Sequence, residues 1–257
     1  MDTSTVHPVD LARAAERLRA LHRRGDPLVL VNVWDAASAA RVAAAGASAI
    51  ATSSVAVAAS LGLPDDPTAP TAPLFAAVAR IAAAVDVPVT ADLLDGYGLD
   101  PDELVERLLA AGAVGCNVED SDHGRPGALV DPAVAAGRIA AVRAAASRAG
   151  VDVVVNARID AYLHHGPDAT VDVLARGRRY LDAGADCVYP IRLTDPAVVR
   201  QLVDRLDAPV NTNIAGDGTV ADLADAGASR ISIGPTAFRS ALAALDQIAA
   251  RLLTPTH

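Results

Sequence analysis

The tripeptide Ala-Gly-Ala occurs four times in this chain, at 45–47, 111–113, 183–185 and 226–228, each time between a helical stretch and a short apolar run. A glycine just past a helix takes the left-handed conformation that ends it, so each copy is a physical stop signal. With the apolar periodicity, these stops predict helices over 9–23, 35–45, 73–85, 101–111, 131–149, 170–183, 195–206, 219–226 and 235–252. The intervening strands fall at 28–33, 49–53, 87–92, 114–119, 151–157, 187–191, 208–211 and 230–233. Strand and helix alternating through eight units imply a parallel sheet covered by helices, closed into an α/β fold of the (β/α)8 TIM-barrel type. One domain over 1–257 accounts for the whole chain. A doubly wound open sheet is disfavoured because no G-x-G-x-x-G follows the first strand, which runs instead into Asn32-Val33-Trp34-Asp35. The longest irregular piece, 60–73, owes its irregularity to its prolines.

Two features of composition narrow the chemistry. Aromatic residues make up 3 % of the chain against 52 % hydrophobic residues, so the core is built from Ala, Val, Leu and Ile. Lysine is absent, and all 22 basic residues are arginine. That excludes Schiff-base aldolases, pyridoxal-phosphate enzymes and P-loop NTPases, all of which depend on a lysine amine. Carbanion chemistry in this chain therefore needs a metal or another electron sink. The formal charge of −9 argues against nucleic-acid and membrane partners. No apolar run approaches the ~18 residues of a membrane span, and the N-terminus carries early acids rather than a leader, so a cytoplasmic location is expected. Cys116 and Cys187 fall in predicted buried strands, where a free thiol behaves as a small hydrophobe.

In a parallel barrel, chemistry collects where the strands end. The exits here carry Trp34 and Asp35, Ser53 and Ser54, Asp92 and Asp95, Glu119 and Asp120, Arg158 and Asp160, Tyr189 and Arg192, and Asn211 and Asn213. Buried acids cost free energy unless they pair or hold a cation. Asp92 and Glu119, on neighbouring strands with no lysine to neutralise them, suit a hard divalent ion bound by oxygen. Mg²⁺ is the natural candidate, with Mn²⁺ as a substitute; zinc would call for His or Cys at the exits. Trp34 and Asn211 are candidate substrate contacts at the first and seventh exits. His164 and His165, in a loop closed by Gly-Pro, read as solvated.

The ordered set Asn32-x-Trp34-Asp35, Ala51-Thr52-Ser53-Ser54, Ser60-Leu61-Gly62-x-Pro64-Asp65, Pro88-Val89-Thr90-Ala91-Asp92, Asp95-Gly96-Tyr97-Gly98, Asn117-x-Glu119-Asp120-Ser121 and Asn156-Ala157-Arg158-x-Asp160 resembles the isocitrate lyase and phosphoenolpyruvate mutase superfamily. The resemblance implies a Mg²⁺-dependent barrel that makes or breaks C–C or P–C bonds beside a 2-oxo or 2-hydroxy carboxylate. It also implies a homo-oligomer, a tetramer whose last helix is exchanged between subunits. Carried over by motif, Asp92 binds the metal, Glu119 holds metal-bound waters, and Arg158 pairs with the substrate carboxylate. The amides of Ser53, Ser54 and Val55 cradle that carboxylate, and Asp65 faces the reacting group.

Three positions depart from the family pattern. The second acid expected two residues after the metal aspartate is Leu94, with Asp95 one step later. The lyases' Lys-Lys-Cys-Gly-His loop is replaced by Asp122-His123-Gly124-Arg125-Pro126-Gly127, and the lysine and asparagine of the mutases are replaced by Arg125 and Gly127. His123 and Arg125 are thus the loop's candidate proton donor and anion contact. The expected activity is cleavage of a C–C bond in a small 2-oxo or 2-hydroxy carboxylate through an enolate. The alternatives are P–C chemistry on phosphonopyruvate and a barrel that binds a carboxylate without turning it over. Segments 60–73 and 122–129 are expected to act as a lid, and the cysteine-dependent cleavage of methylisocitrate is the least expected reaction.

Overall fold

Helix starts and stops follow the sequence closely in the computed structural model, which describes residues 8–214, 216 and 218–253. The extreme N-terminus, read above as lacking a leader, and the ends of the 1–257 domain lie outside the described residues. In chain order the elements are α1 (Pro8–Ala20), β1 (Leu28–Leu30), β2 (Asn32–Val33), α2 (Ala36–Ala44), β3 (Ile50–Thr52), α3 (Ser54–Ser60), α4 (Thr71–Ala82), β4 (Val89–Asp92) and α5 (Pro101–Ala110). There follow β5 (Gly115–Glu119), α6 (Pro132–Arg148), β6 (Val154–Ile159), α7 (Ala161–His165), α8 (Thr170–Asp182), β7 (Cys187–Pro190), α9 (Pro196–Leu206), β8 (Asn211–Asn213), α10 (Val220–Asp225), β9 (Arg230–Ser232) and α11 (Thr236–Leu253).

Three helices begin on Asp-Pro: the carboxylates of Asp100, Asp131 and Asp195 accept the backbone N–H two residues on, while the following proline occupies the position where a missing N–H costs nothing. The four Ala-Gly-Ala stops share one geometry. Gly46, Gly112, Gly184 and Gly227 have φ between 77° and 100°, and the alanine after each donates its N–H back to the carbonyl five residues earlier. This closes the helix end and turns the chain into the next strand.

Every strand pairing is parallel. The sheet runs β2-β3-β4-β5-β6-β7 on one side and β1-β9-β8 on the other. β1 and β2 are consecutive pieces of one stave interrupted at Val31, and a Val188↔Val210 bridge joins the β7 and β8 edges, so the ring closes. Asn32 fastens the seam, donating to the Thr52 carbonyl and accepting from the amides of Ile233 and Gly234. The core is aliphatic, as expected. Helix α1 plugs the amino-terminal end: Leu18 and Ala15 are fully buried, and Arg19 reaches Asp186 at 2.8 Å. Among the described residues no helix is long and apolar enough to cross a membrane.

The structure corrects several boundaries. β8 spans Asn211–Asn213 rather than 208–211, because Pro209 has no N–H and pairing starts only after it. β6 continues through Arg158. Part of the segment read as irregular is ordered: α3 ends at Ser60, and α4 starts at Thr71, since a proline in a first helical turn breaks no hydrogen bond. The helix α7 was not expected at all.

Candidate active site

Asp92 ends β4 with its main-chain N–H on Thr52 Oγ1 at 2.9 Å. Its carboxylate is held at both ends. Oδ2 accepts from the Ser54 amide (3.2 Å) and hydroxyl (3.1 Å), and Oδ1 accepts from Asn117 Nδ2 at 3.2 Å. Two residues beyond Asn117 on the same face of β5, Glu119 is buried between a cation and an imidazole. Arg158 Nη1 lies 2.6 Å from Oε2, an ion pair set by distance rather than an aligned hydrogen bond, and His123 Nε2 lies 2.9 Å from Oε1. The rest of the Arg158 fork grips Asp160, Nε to Oδ1 at 2.6 Å and Nη2 to Oδ2 at 2.9 Å. Asp160 also accepts Ser121 Oγ at 2.5 Å, and that oxygen sits 2.9 Å from His164 Nε2. Behind it Asp120 accepts the Asp160 amide, Tyr180 and Arg176, so the acids below the rim are compensated in a buried ladder.

The balance of charge differs between the two walls. Burial, then the charge of Asp92, raise the pKa of Asp65, while Ser54 and Arg158 oppose the shift. Burial raises Glu119 as well, against Arg158 and His123. The hydrogen bond to Glu119 in turn raises the pKa of His123, against its own partial burial. For Arg158 burial works against the charge, but Glu119, Asp160 and Asp92 outweigh it.

These groups line one cavity of ≈ 900 Å³ at the carboxyl ends of the strands. Ser53, Ser54, Val55, Asp65, Asp92, Glu119, His123 and Arg158, all named from the sequence, face it together. Three other candidates do not. The Trp34 ring packs edge-on against Phe238, 5.2 Å between centroids. The Arg125 side chain is 73 % exposed and pairs with Asp122 at 2.7 Å. Asn211 is fully buried beneath the cavity, and the wall position belongs to Asn213, two residues further along the longer strand. The cradle inferred for Ser53 to Val55 is already in use at two amides, Ser53 to the Val33 carbonyl and Ser54 to Asp92. His164, read as solvated, instead lines the cavity through the unforeseen α7, whereas His165 is exposed. Asn117, Asn213 and Ser121 were missed as site residues, although strand alternation from Glu119 and Asn211 points to the first two.

Whether the donors suit a divalent cation follows from the same groups. Asp65 and Asp92 press like charges together, and a cation there would relieve both. Asp95 does not help, since it turns to Arg138 at 3.7 Å and to the Tyr97 amide, leaving Leu94 in the wall. No cluster of three His, Cys, Asp or Glu side chains fit to hold a metal occurs among the described residues. The donors fit an ion that takes one or two carboxylates and keeps its waters, as Mg²⁺ does, and not zinc. Neither thiol lines the cavity; burial pushes both Cys116 and Cys187 up to about 12.

The family model for phosphoenolpyruvate phosphomutase matches residues 18–253. An uncharacterized protein of Mycobacterium tuberculosis H37Rv is 36 % identical over 222 residues, covering 86 % of this chain and 83 % of its own. The 2-methylisocitrate lyase of Escherichia coli K12 is 30 % identical over 220 residues, covering 82 % and 73 %. A Burkholderia cenocepacia J2315 protein provisionally named a phosphonomutase superposes with a TM-score of 0.87 at 42 % identity, covering 94 % of this chain and 99 % of that one.

Proposed function

Because the chain belongs to the phosphoenolpyruvate phosphomutase family, among lyases and mutases of small carboxylates, we propose that it is a divalent-cation-dependent lyase cleaving a C–C bond of a small 2-oxo or 2-hydroxy carboxylate. The observation that carries this reading is the division of one cavity into an acidic wall, Asp65 and Asp92, and a proton-holding wall, Glu119, His123 and Arg158. Asp92 would hold Mg²⁺ or Mn²⁺, with Asp65 and water completing its surroundings. When bound, the cation draws electrons from the substrate's carbonyl and carboxylate, which a chain without lysine cannot otherwise do.

The protein's own groups do the rest. Arg158 binds Glu119 and Asp160 through three of its nitrogens and still has N–H donors for a substrate carboxylate, presented in a rigid fork. Ser54 and Asn117 fix the Asp92 carboxylate in place. His123, its Nε2 2.9 Å from Glu119 Oε1, is the group placed to give a proton to the carbon released on cleavage. That role would fall to a cysteine in the thiol-dependent route, the least expected one, and both thiols here are sealed away from the cavity.

The likeness to the Burkholderia protein favours P–C chemistry on a phosphonopyruvate-like acid as the second reading. Purified protein with Mg²⁺ should be assayed against oxaloacetate, 4-hydroxy-2-oxo acids, phosphonopyruvate and methylisocitrate. Turnover of one of the first two, reduced at least about a hundredfold in His123→Ala, supports the lyase. Turnover of phosphonopyruvate alone establishes the second reading, and turnover of methylisocitrate alone overturns the route without a thiol.

A further inference from the structure

Beneath the cavity the barrel holds a guanidinium with no carboxylate against it. Arg230, on β9 in register with Leu28 and Asn211, is only 1 % exposed and is the largest of the fully buried side chains. Its Nη2 donates to Asn117 Oδ1 at 3.3 Å, while Nε and Nη1 have no partner among the described residues. Burial alone works to lower its pKa. A buried cation with no anion beside it costs free energy, and an apolar side chain of similar volume in such a place is often neutral or stabilising. The fold by itself gives no reason for an arginine here.

Its one bond supplies a reason. Asn117 Oδ1 accepts from two donors, Arg230 Nη2 and Asn156 Nδ2 at 2.7 Å. An amide whose oxygen is claimed from below must turn its N–H₂ the other way, and that group meets Asp92 Oδ1 at 3.2 Å. In the flipped amide an oxygen would face the carboxylate oxygen, and the Asp92 carboxylate would lose one of its three donors. Asp92 and Asn117 are register partners on β4 and β5, and the Arg230 side chain reaches Asn117 from β9 across the barrel interior, so hydrogen bonds link the three to the cavity floor.

We propose that Arg230 is a positioning residue that, by locking the Asn117 amide, fixes the Asp92 carboxylate in the orientation that receives the divalent cation. This rests on the reading of Asp92 as the cation's ligand. Two effects of Arg230 oppose each other, since its charge repels a cation while its bond prepares the ligand; the proposal is that the second prevails.

The test is Mn²⁺ binding to substrate-free protein, followed by the electron paramagnetic resonance signal of free Mn²⁺, alongside the thermal midpoint. Arg230→Met should keep its midpoint and bind Mn²⁺ about tenfold more weakly, the scale on which groups supporting a metal ligand act. Arg230→Lys, which keeps a donor and the charge, should restore most of the affinity. Asn117→Ser should weaken binding by a similar factor, and the double variant with Arg230→Met no further. Arg230→Gln, a neutral donor, keeps a bond to Asn117 without the charge and should bind at least as tightly as the parent, and Arg230→Leu, which like Met removes both, decides the matter should the Met variant not fold. Equal or tighter binding in Arg230→Met or Arg230→Leu, binding in Arg230→Gln as weak as in Arg230→Met, weak binding in both Met and Lys, or additive effects with Asn117→Ser would overturn the proposal. A parent protein that binds no Mn²⁺ would overturn the proposed function and this inference with it; a parent that binds beside variants that bind equally well would overturn only the inference.

Discussion

His22 closes the barrel from below, just past α1, with Nδ1 2.9 Å from the Leu18 carbonyl and Nε2 sealed from solvent without a partner among the described residues. Burial, then the charge of Arg230, lowers its pKa to about 4. The native state therefore keeps this ring neutral while the unfolded chain protonates near 6.5, so its contribution is fully present above that value and is lost as the pH falls from there toward 4. Between pH 7 and 5 the parent should lose about 2 kcal/mol more than His22→Gln in urea unfolding, at about 1.4 kcal/mol per pH unit; parallel losses would mean that the ring is solvated in the native state. At this scale the sequence showed residue types better than their depth. Asp92, Glu119 and Arg158 are legible because buried acids and a fork at strand exits have few other uses, whereas Asp65, in the proline-rich loop, is legible only through the family resemblance. Asn211 was chosen over Asn213 because a proline hid where the strand begins. Arg230 gave no signal, for a charge at the start of a strand reads as a surface residue until the ring is closed around it.

The elements that sequence patterns find are those with strong local signals. Asp-Pro starts and Ala-Gly-Ala stops bracket the long helices to within a few residues, and the eightfold alternation then dictates a barrel. Helices α3 and α7, of 7 and 5 residues, escaped because each is too short to show a period and is held by the strand exit it follows. They bring Ser54 and His164 to the cavity, so the part of the fold least visible locally is the part that shapes the site. Packing of α1 against β5 imposes a requirement the pattern does not reveal. A Cβ on Gly115 would lie 2.8 Å from Leu18 Cδ2 and 3.0 Å from Thr90 Oγ1. Gly115→Ala should destabilise the protein by about 1–3 kcal/mol through overpacking, measured by urea denaturation, with Gly137→Ala as a control in open space. Equal midpoints for the two would mean that α1 is not seated in the barrel mouth.

Across the whole molecule one surface stands apart. Helix α11 has no buried residue, and it exposes Leu242, Leu245, Ile248, Leu252 and Leu253. An apolar helix face of this kind marks an interaction surface, and a second copy of the chain, in a tetramer that exchanges this helix, is the proposed occupant. Light scattering should give four times the chain mass and a smaller species for Leu245→Glu; a single-chain mass for the parent at micromolar concentration would contradict it. The acidic wall, the proton-holding wall and the missing lysine are what support the proposed cation that activates a small carboxylate. Oxalate, which chelates as a 2-oxo acid does but has no bond to give up, isolates that claim from the choice of reaction. Titration calorimetry of the parent with oxalate should show binding with Mg²⁺ or Mn²⁺ and at least about a hundredfold less without it, and Asp92→Ala should bind in neither case. Oxalate binding that ignores the metal, or an Asp92→Ala variant that binds the metal and oxalate as well as the parent, would contradict the account.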